Sequence, residues 1–197
     1  MSNTLHPRGM GRRMLSATTA LACLLAGCKA RNQEVYQDGD GFRFVAPPGW
    51  VERARGEALP ARVGQRQQDV PLPPLGGAGI QSERLLVRYD RISTGQHAWL
   101  RVTVADIPSA TPMNGFLAAR RPGQGWKRES ENEHLEVSGL PAARIAFVGR
   151  WHDQDYLCEM VAVRDRERVY LLSGSFPASD GAAREQVRQA VAGATWK

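Results

Sequence analysis

Hydrophobic positions divide the chain into a front section without a fold pattern and a longer section that has one. Met14–Ala26 is an apolar stretch rich in Ala, Leu and Thr, preceded by basic residues, and no acidic residue occurs before Glu34. From Ala30 to Asp40 the chain is polar with no apolar period, which predicts a tether. Phe42 and Phe44 then alternate with Arg43 and Val45, and this two-residue period predicts a short strand that stops at Pro47-Pro48-Gly49. Trp50-Val51-Glu52 reads as a second short strand. Residues 54–81 show no period and hold Pro60, Pro71, Pro73, Pro74 and the run Gly76-Gly77-Ala78-Gly79, so they read as one long loop. A loop of that length inside a domain is usually functional or disordered.

Alternation returns in Leu85–Ile92 and Trp99–Ile107, joined by a hairpin turn at Ser93-Thr94-Gly95-Gln96. Leu85, Val87 and Tyr89 share a face of the first strand. On the second, Leu100, Val102 and Val104 share one face and Arg101 and Thr103 the other. Thr111-Pro112 predicts the cap and first residue of a short helix, Pro112–Arg121, which Pro122-Gly123 ends. Ala142–Trp151, Tyr156–Arg164 and Arg168–Phe176 form an antiparallel meander with turns at His152–Asp155 and Asp165–Glu167. The middle strand is apolar on both faces: Leu157, Val161 and Val163 lie on one, and Tyr156, Cys158, Met160 and Ala162 on the other. Such a strand needs cover on both sides of its sheet. Ser179 or Asp180 caps a last helix to about Ala192, with Ala183, Val187, Ala190 and Ala194 at helical spacing, and Trp196 packs back. The prediction is an α+β domain, an antiparallel sheet with helices on both faces.

The front section has the layout of a secretory signal: Arg8, Arg12 and Arg13, then an apolar stretch, then small residues. At about 13 residues the stretch is shorter than the roughly 20 a spanning helix needs. It ends in Leu25-Ala26-Gly27-Cys28, which resembles the lipobox of bacterial lipoproteins. That resemblance implies a diacylglyceryl group on the Cys28 sulfur, cleavage after Gly27 and acylation of the new amino terminus by chains such as palmitate. One acyl chain, at about 0.8 kcal/mol per buried methylene, holds only marginally, whereas two or three anchor stably. Gly11-Arg12-Arg13-Met14-Leu15 partly resembles a twin-arginine export signal, although a plain basic leader explains the same residues. Lys29, next after the anchor, tilts sorting toward the outer membrane under the enterobacterial rule. The expected division is a signal peptide 1–27, a lipidated tether 28–40 and a domain 41–197. The domain faces the periplasm and is held on the lipid bilayer through Cys28.

Composition narrows the partners. The full chain carries +6, but the leader removes three arginines and leaves 23 basic against 20 acidic residues, a net +3. That balance argues against a nucleic-acid partner. Of the three cysteines, Cys23 leaves with the leader and Cys28 is the lipid site. Only Cys158 remains, so no disulfide within the chain is expected.

Candidate chemistry is sparse. His152-Asp153-Gln154-Asp155 offers imidazole and carboxylates to a metal such as Zn or Mn, but four consecutive turn residues rarely converge on one ion. Cys158 with His134 or His152 has the composition of a nucleophile–base pair. A cysteine in mid-strand is more often an inert core residue. Arg164-Asp165-Arg166-Glu167-Arg168 alternates in sign, as a self-compensated turn does, and is also a candidate patch for an acidic partner. Gly76–Gly79 lacks the Lys-Ser/Thr of a phosphate loop.

The order of elements resembles the PsbP-like superfamily of α/β/α sandwiches. Its members include the extrinsic photosystem II protein, the eukaryotic Ran-release factor and many bacterial lipoproteins. The likeness spans Gly41–Lys197 and rests on Phe42-x-Phe44, Pro47-Pro48-Gly49-Trp50, Val137-Ser138-Gly139-Leu140-Pro141-Ala142, Tyr170-Leu171-Leu172 and the terminal Trp196. These are turn and core residues, so the resemblance implies a scaffold and carries over no site. No catalytic residue, metal or cofactor is expected. The reading is a non-catalytic binding or assembly-support module of the cell envelope. Pro71, Leu72, Pro73, Pro74 and Leu75 are its candidate contact with an envelope protein. The alternatives are a periplasmic metal- or ligand-binding protein or enzyme using the His152–Asp155 turn, and a carrier with a pocket between sheet and helix.

Overall fold

The computed structural model describes residues 35–56, 82–93 and 96–197. β1 (Val35–Gln37) and β2 (Arg43–Val45) form a small antiparallel ribbon in which Tyr36 lies opposite Phe44. The polar stretch Ala30–Asp40 thus already enters the fold at Val35. One side chain accounts for this: Tyr36 is buried, its ring 6.1 Å from that of Phe42. A three-residue strand with a single buried residue leaves no period to detect.

The remaining strands are β3 (Val51–Arg55), β4 (Ser82–Ser93), β5 (Gln96–Asp106), β6 (Lys127–Arg128), β7 (Glu133–Val137), β8 (Leu140–Trp151), β9 (Gln154–Asp165) and β10 (Arg168–Pro177). They form an antiparallel sheet in the order β3-β4-β5-β10-β9-β8-β6, with β7 also on β8. The expected hairpin and meander are both present. Local pattern did not reveal that β10 joins them, pairing with β5 from Arg168↔Asp106 to Ser175↔Trp99. In β4 the register shifts between Leu85 and Val87. The bulge brings Leu86 into the core beside Val87 and Tyr89, and breaks the simple alternation expected there.

Side chains of the sheet feed two cores, one on each face. Leu157, Val161 and Val163 of β9 join the first, which is closed by Phe42, Phe44, Trp50 and the helix α2 (Gly181–Ala192). Cys158, Met160 and Ala162 join the second, closed by Ile107, Trp126 and the helix α1 (Met113–Ala118). Asp180 caps α2 by accepting from the Ala183 amide at 3.0 Å. Pro112, with φ −65 and ψ 132, stands just outside α1, so this helix is shorter than Pro112–Arg121.

The expected α/β/α sandwich with helices on both faces is not what forms. The described residues are 55% strand and 14% helix, with two helices among them. The physical reason is reach. At 1.5 Å per residue, α1 spans only about 9 Å, whereas twelve-residue strands such as β8 and β9 run about 40 Å. Neither helix amounts to a layer; the β1–β2 ribbon, Trp50 and Trp126 fill much of what helices were expected to cover. No described helix is long and apolar enough to cross a membrane.

Candidate functional site

Between α2 and the sheet lies a cavity of about 300 Å³. Its apolar wall comes from β7 (Leu135, Val137), β9 (Val161), β10 (Leu172) and α2 (Val187, Val191). Geometry explains why these side chains meet. Val161 is in register with Leu172 on one side and Arg144 on the other, and Val187 and Val191 lie one helical turn apart. Gly174 sets the spacing, because a Cβ there would lie 2.8 Å from Val187 Cγ1. Glycine at this position lets α2 sit close on β10.

The polar part of the lining is a run of alternating charges. Glu159, on β9, is the one charged residue in the otherwise uncharged run Tyr156–Val163. Its side chain is 4% exposed, and Arg184 and Arg188 of α2 close over it. Arg184 donates to Oε1 at 2.8 and 2.6 Å, and Arg188 reaches both oxygens at 3.0 and 2.6 Å. The i, i+4 spacing puts both guanidinium groups on the same side of the helix. Burial pushes the Glu159 carboxyl up, but the hydrogen bonds from Arg188 and Arg184 outweigh it and hold it below the usual carboxylate range. The same bond raises Arg188. Arg184 also reaches Glu129 at 3.8 Å. Beside this clasp, Arg144 donates through Nε to Glu133 Oε2 at 3.1 Å. Ser138, at the turn into β8, donates to the Ala194 carbonyl at 2.6 Å and ties that hairpin to the end of α2.

A second polar group lies on the opposite face. Arg120 Nη1 donates to Glu83 Oε2 at 2.7 Å and Thr103 Oγ1 donates to Glu83 Oε1 at 2.8 Å. Its guanidinium also stands 4.5 Å from the centre of the Phe116 ring. Arg101 is buried beside them, and desolvation lowers it to about 10, so it remains charged at neutral pH. Arg101 and Thr103, alternating away from the apolar face of β5, are therefore interior residues. With Arg120 and Glu83 almost fully buried, this group acts as internal fastening between α1's far end and β4–β5.

The sequence candidates separate. Cys28 and Pro71–Leu75 lie outside the described residues. His152 and Asp153 form the tip of the β8–β9 hairpin, with φ of 45 and 60, between Trp151 and its register partner Gln154. His152 packs its ring on Trp151, 4.3 Å between centroids, and Asp155 is already in β9. Among the described residues no group of three or more His, Cys, Asp or Glu is placed to hold a metal ion. Cys158 is fully buried between Phe147 and Ser175 in register, and burial pushes its thiol up to about 12. His134 instead meets Asn114 at 3.3 Å. In the Arg164–Arg168 turn, Arg164 bonds the Thr111 carbonyl at 2.6 Å and Arg168 meets Asp40 at 2.8 Å, so these charges are used within the fold. Sequence reasoning missed the Glu159 clasp although its signal was visible. A lone carboxylate in a strand apolar on both faces needs a partner, and Arg184 and Arg188 stand at helical spacing downstream.

No protein-family model matches the chain, and no curated protein matches it. Solved structures do. LpqN of Mycobacterium tuberculosis, described as involved in cell envelope biogenesis, is 8% identical with a TM-score of 0.50, over 81% of this chain and 86% of LpqN. PA94 of Pseudomonas aeruginosa, a protein of unknown function, is 14% identical with a TM-score of 0.45, over 84% of this chain and 97% of its own. At such identity the likeness to LpqN concerns the fold alone.

Proposed function

We propose that this chain is a lipid-anchored, non-catalytic binding module of the bacterial cell envelope, and that its ligand enters the cavity between α2 and the sheet. The cavity carries the proposal. It is at the small end of the size range of small-molecule sites and combines apolar walls with a few charged groups, as such sites do. An envelope location draws support from the complete Leu25-Ala26-Gly27-Cys28 motif after an apolar leader. It also fits the shared fold with LpqN, which is involved in cell envelope biogenesis. The protein partner, in this reading, contacts Pro71–Leu75.

Three measurements test these parts separately. Cys28→Ser is expected to abolish acyl labelling and to shift the chain out of the diacylglyceryl-processed form; unchanged labelling would refute the anchor. Val191→Phe fills the cavity and is expected to remove small-molecule adducts seen by native mass spectrometry of the membrane-extracted chain. If the adducts persist at the same level, the cavity is not the binding site. Crosslinking in intact cells with residues 60–79 deleted is expected to lose the partner band, and an unchanged pattern with a normally folded deletion excludes the loop.

A further inference from the structure

We infer that the cavity takes a single-chain amphiphile with an anionic head, the chain lying along Leu135, Val161, Leu172, Val187 and Val191 and the head meeting Arg144 and Arg188. This rests on the binding reading above and adds the class of ligand. The lining is divided by chemistry. Its apolar side chains come from four elements, and its guanidinium groups stand on β8 and α2. A liquid water molecule takes about 30 Å³, so the space accommodates about ten non-hydrogen atoms, the size of a medium-length hydrocarbon chain.

Charge selects the head. Glu159 lines the cavity but presents little negative charge to it, since both its oxygens are held by arginines and its side chain is 4% exposed. Ser138 spends its proton on the Ala194 carbonyl. Glu136 also lines the cavity, but it is solvent-exposed and alternates along β7 with Leu135 and Val137, so its carboxylate is set in water at the rim. Both arginine side chains are partly exposed, 27% for Arg144 and 39% for Arg188, and Arg188 bonds Glu159 through Nε and Nη2. Arg144 is bonded to Glu133, whose own side chain is 56% exposed. A partner so well solvated is displaced at little cost. An incoming anion therefore exchanges one carboxylate for another at Arg144 while its chain leaves water. A cationic head would have to approach two guanidinium groups.

The test uses the full chain in its membrane and two photoreactive ten-carbon probes carrying a diazirine, decanoate and decan-1-ol, with labelled peptides mapped by mass spectrometry. Decanoate is expected to label the 187–192 segment of α2 and to exceed the alcohol by about tenfold, the worth of one charge-assisted hydrogen bond. Arg144→Gln is expected to bring decanoate down to the level of the alcohol. Glu133→Gln, which removes the competitor, is expected to raise it. Equal labelling by both probes, unaffected by Arg144→Gln, overturns the anionic head and leaves cavity binding standing. Labelling by neither probe, or labelling unchanged by Val191→Phe, overturns the cavity reading as well.

Discussion

Glu159 and Cys158 are adjacent in sequence and opposite in consequence. β9 alternates, so Cys158 faces the core beneath α1 while Glu159 faces α2. The thiol, pushed up to about 12 by burial, is almost entirely protonated at pH 8. Alkylation of the native chain at pH 8, read by mass spectrometry, is expected to leave Cys158 unmodified, with full modification after denaturation. Glu159 has its carboxyl held below its ordinary 4.5, so the unfolded chain binds this proton more readily than the native one. Its contribution is therefore complete above the unfolded-state value and is lost as pH falls through the native one. Glu159→Gln is expected to cost about 2 kcal/mol at pH 7, since it leaves guanidinium donors facing a neutral amide. Urea unfolding across pH 7 to 3 checks this, with the gap between the two proteins closing toward the acid end. Both residues were readable in outline. Alternation put Cys158 in the core, whereas the partners that balance Glu159 lie 25 and 29 residues downstream on α2.

At the level of elements, α2 depends on a cap, a clasp and a missing side chain. The cap at Asp180 and the length of the helix were legible, because capping chemistry is local. Its close seat on β10 was not, since nothing near Gly174 in sequence indicates that Val187 will face it. Gly174→Ala is expected to push α2 outward and destabilise the domain by about 1–3 kcal/mol. Val187→Ala, ordinarily costly, should cost less in that background, and the double-mutant cycle by denaturant unfolding measures the coupling. The strands β1, β6 and β7 were missed for a related reason. They are only 3, 2 and 5 residues long and mostly exposed, so tertiary pairing rather than periodicity defines them.

For the molecule as a whole, the long strands, the β4–β5 hairpin and the meander followed from alternation, whereas the balance of sheet to helix did not. The resemblance to PsbP-like proteins implied helical layers, and turn residues such as Pro47-Pro48-Gly49 and Ser138-Gly139 do not report how much helix lies between them. Local chemistry was equally silent on β5 meeting β10, which joins segments about 70 residues apart. The site divides in the same way. Val161 and Val187 of its apolar wall lie on positions that periodicity assigned to the core, whereas Leu135 and Val191 gave no such signal, and its charges come from separated segments that only the finished sheet brings together.

The last residues return to the first strands of the domain. The Arg43 amide donates to the Thr195 carbonyl at 2.8 Å, Thr195 donates back at 2.9 Å, and the Lys197 amide reaches the Gly41 carbonyl at 3.2 Å. Trp196 fixes the arrangement, with its ring 5.2 Å from Phe42 and 5.5 Å from Tyr170. Start and finish of the domain are thus neighbours. A circular permutant that links Lys197 to Val35 through a short glycine-serine bridge and opens at the exposed His152-Asp153 turn is expected to fold to the same sheet. Matching circular dichroism and a cooperative melt would establish it. In such a molecule the proposed lipid anchor would attach at the far end of the β8–β9 hairpin, turning the domain over relative to the bilayer.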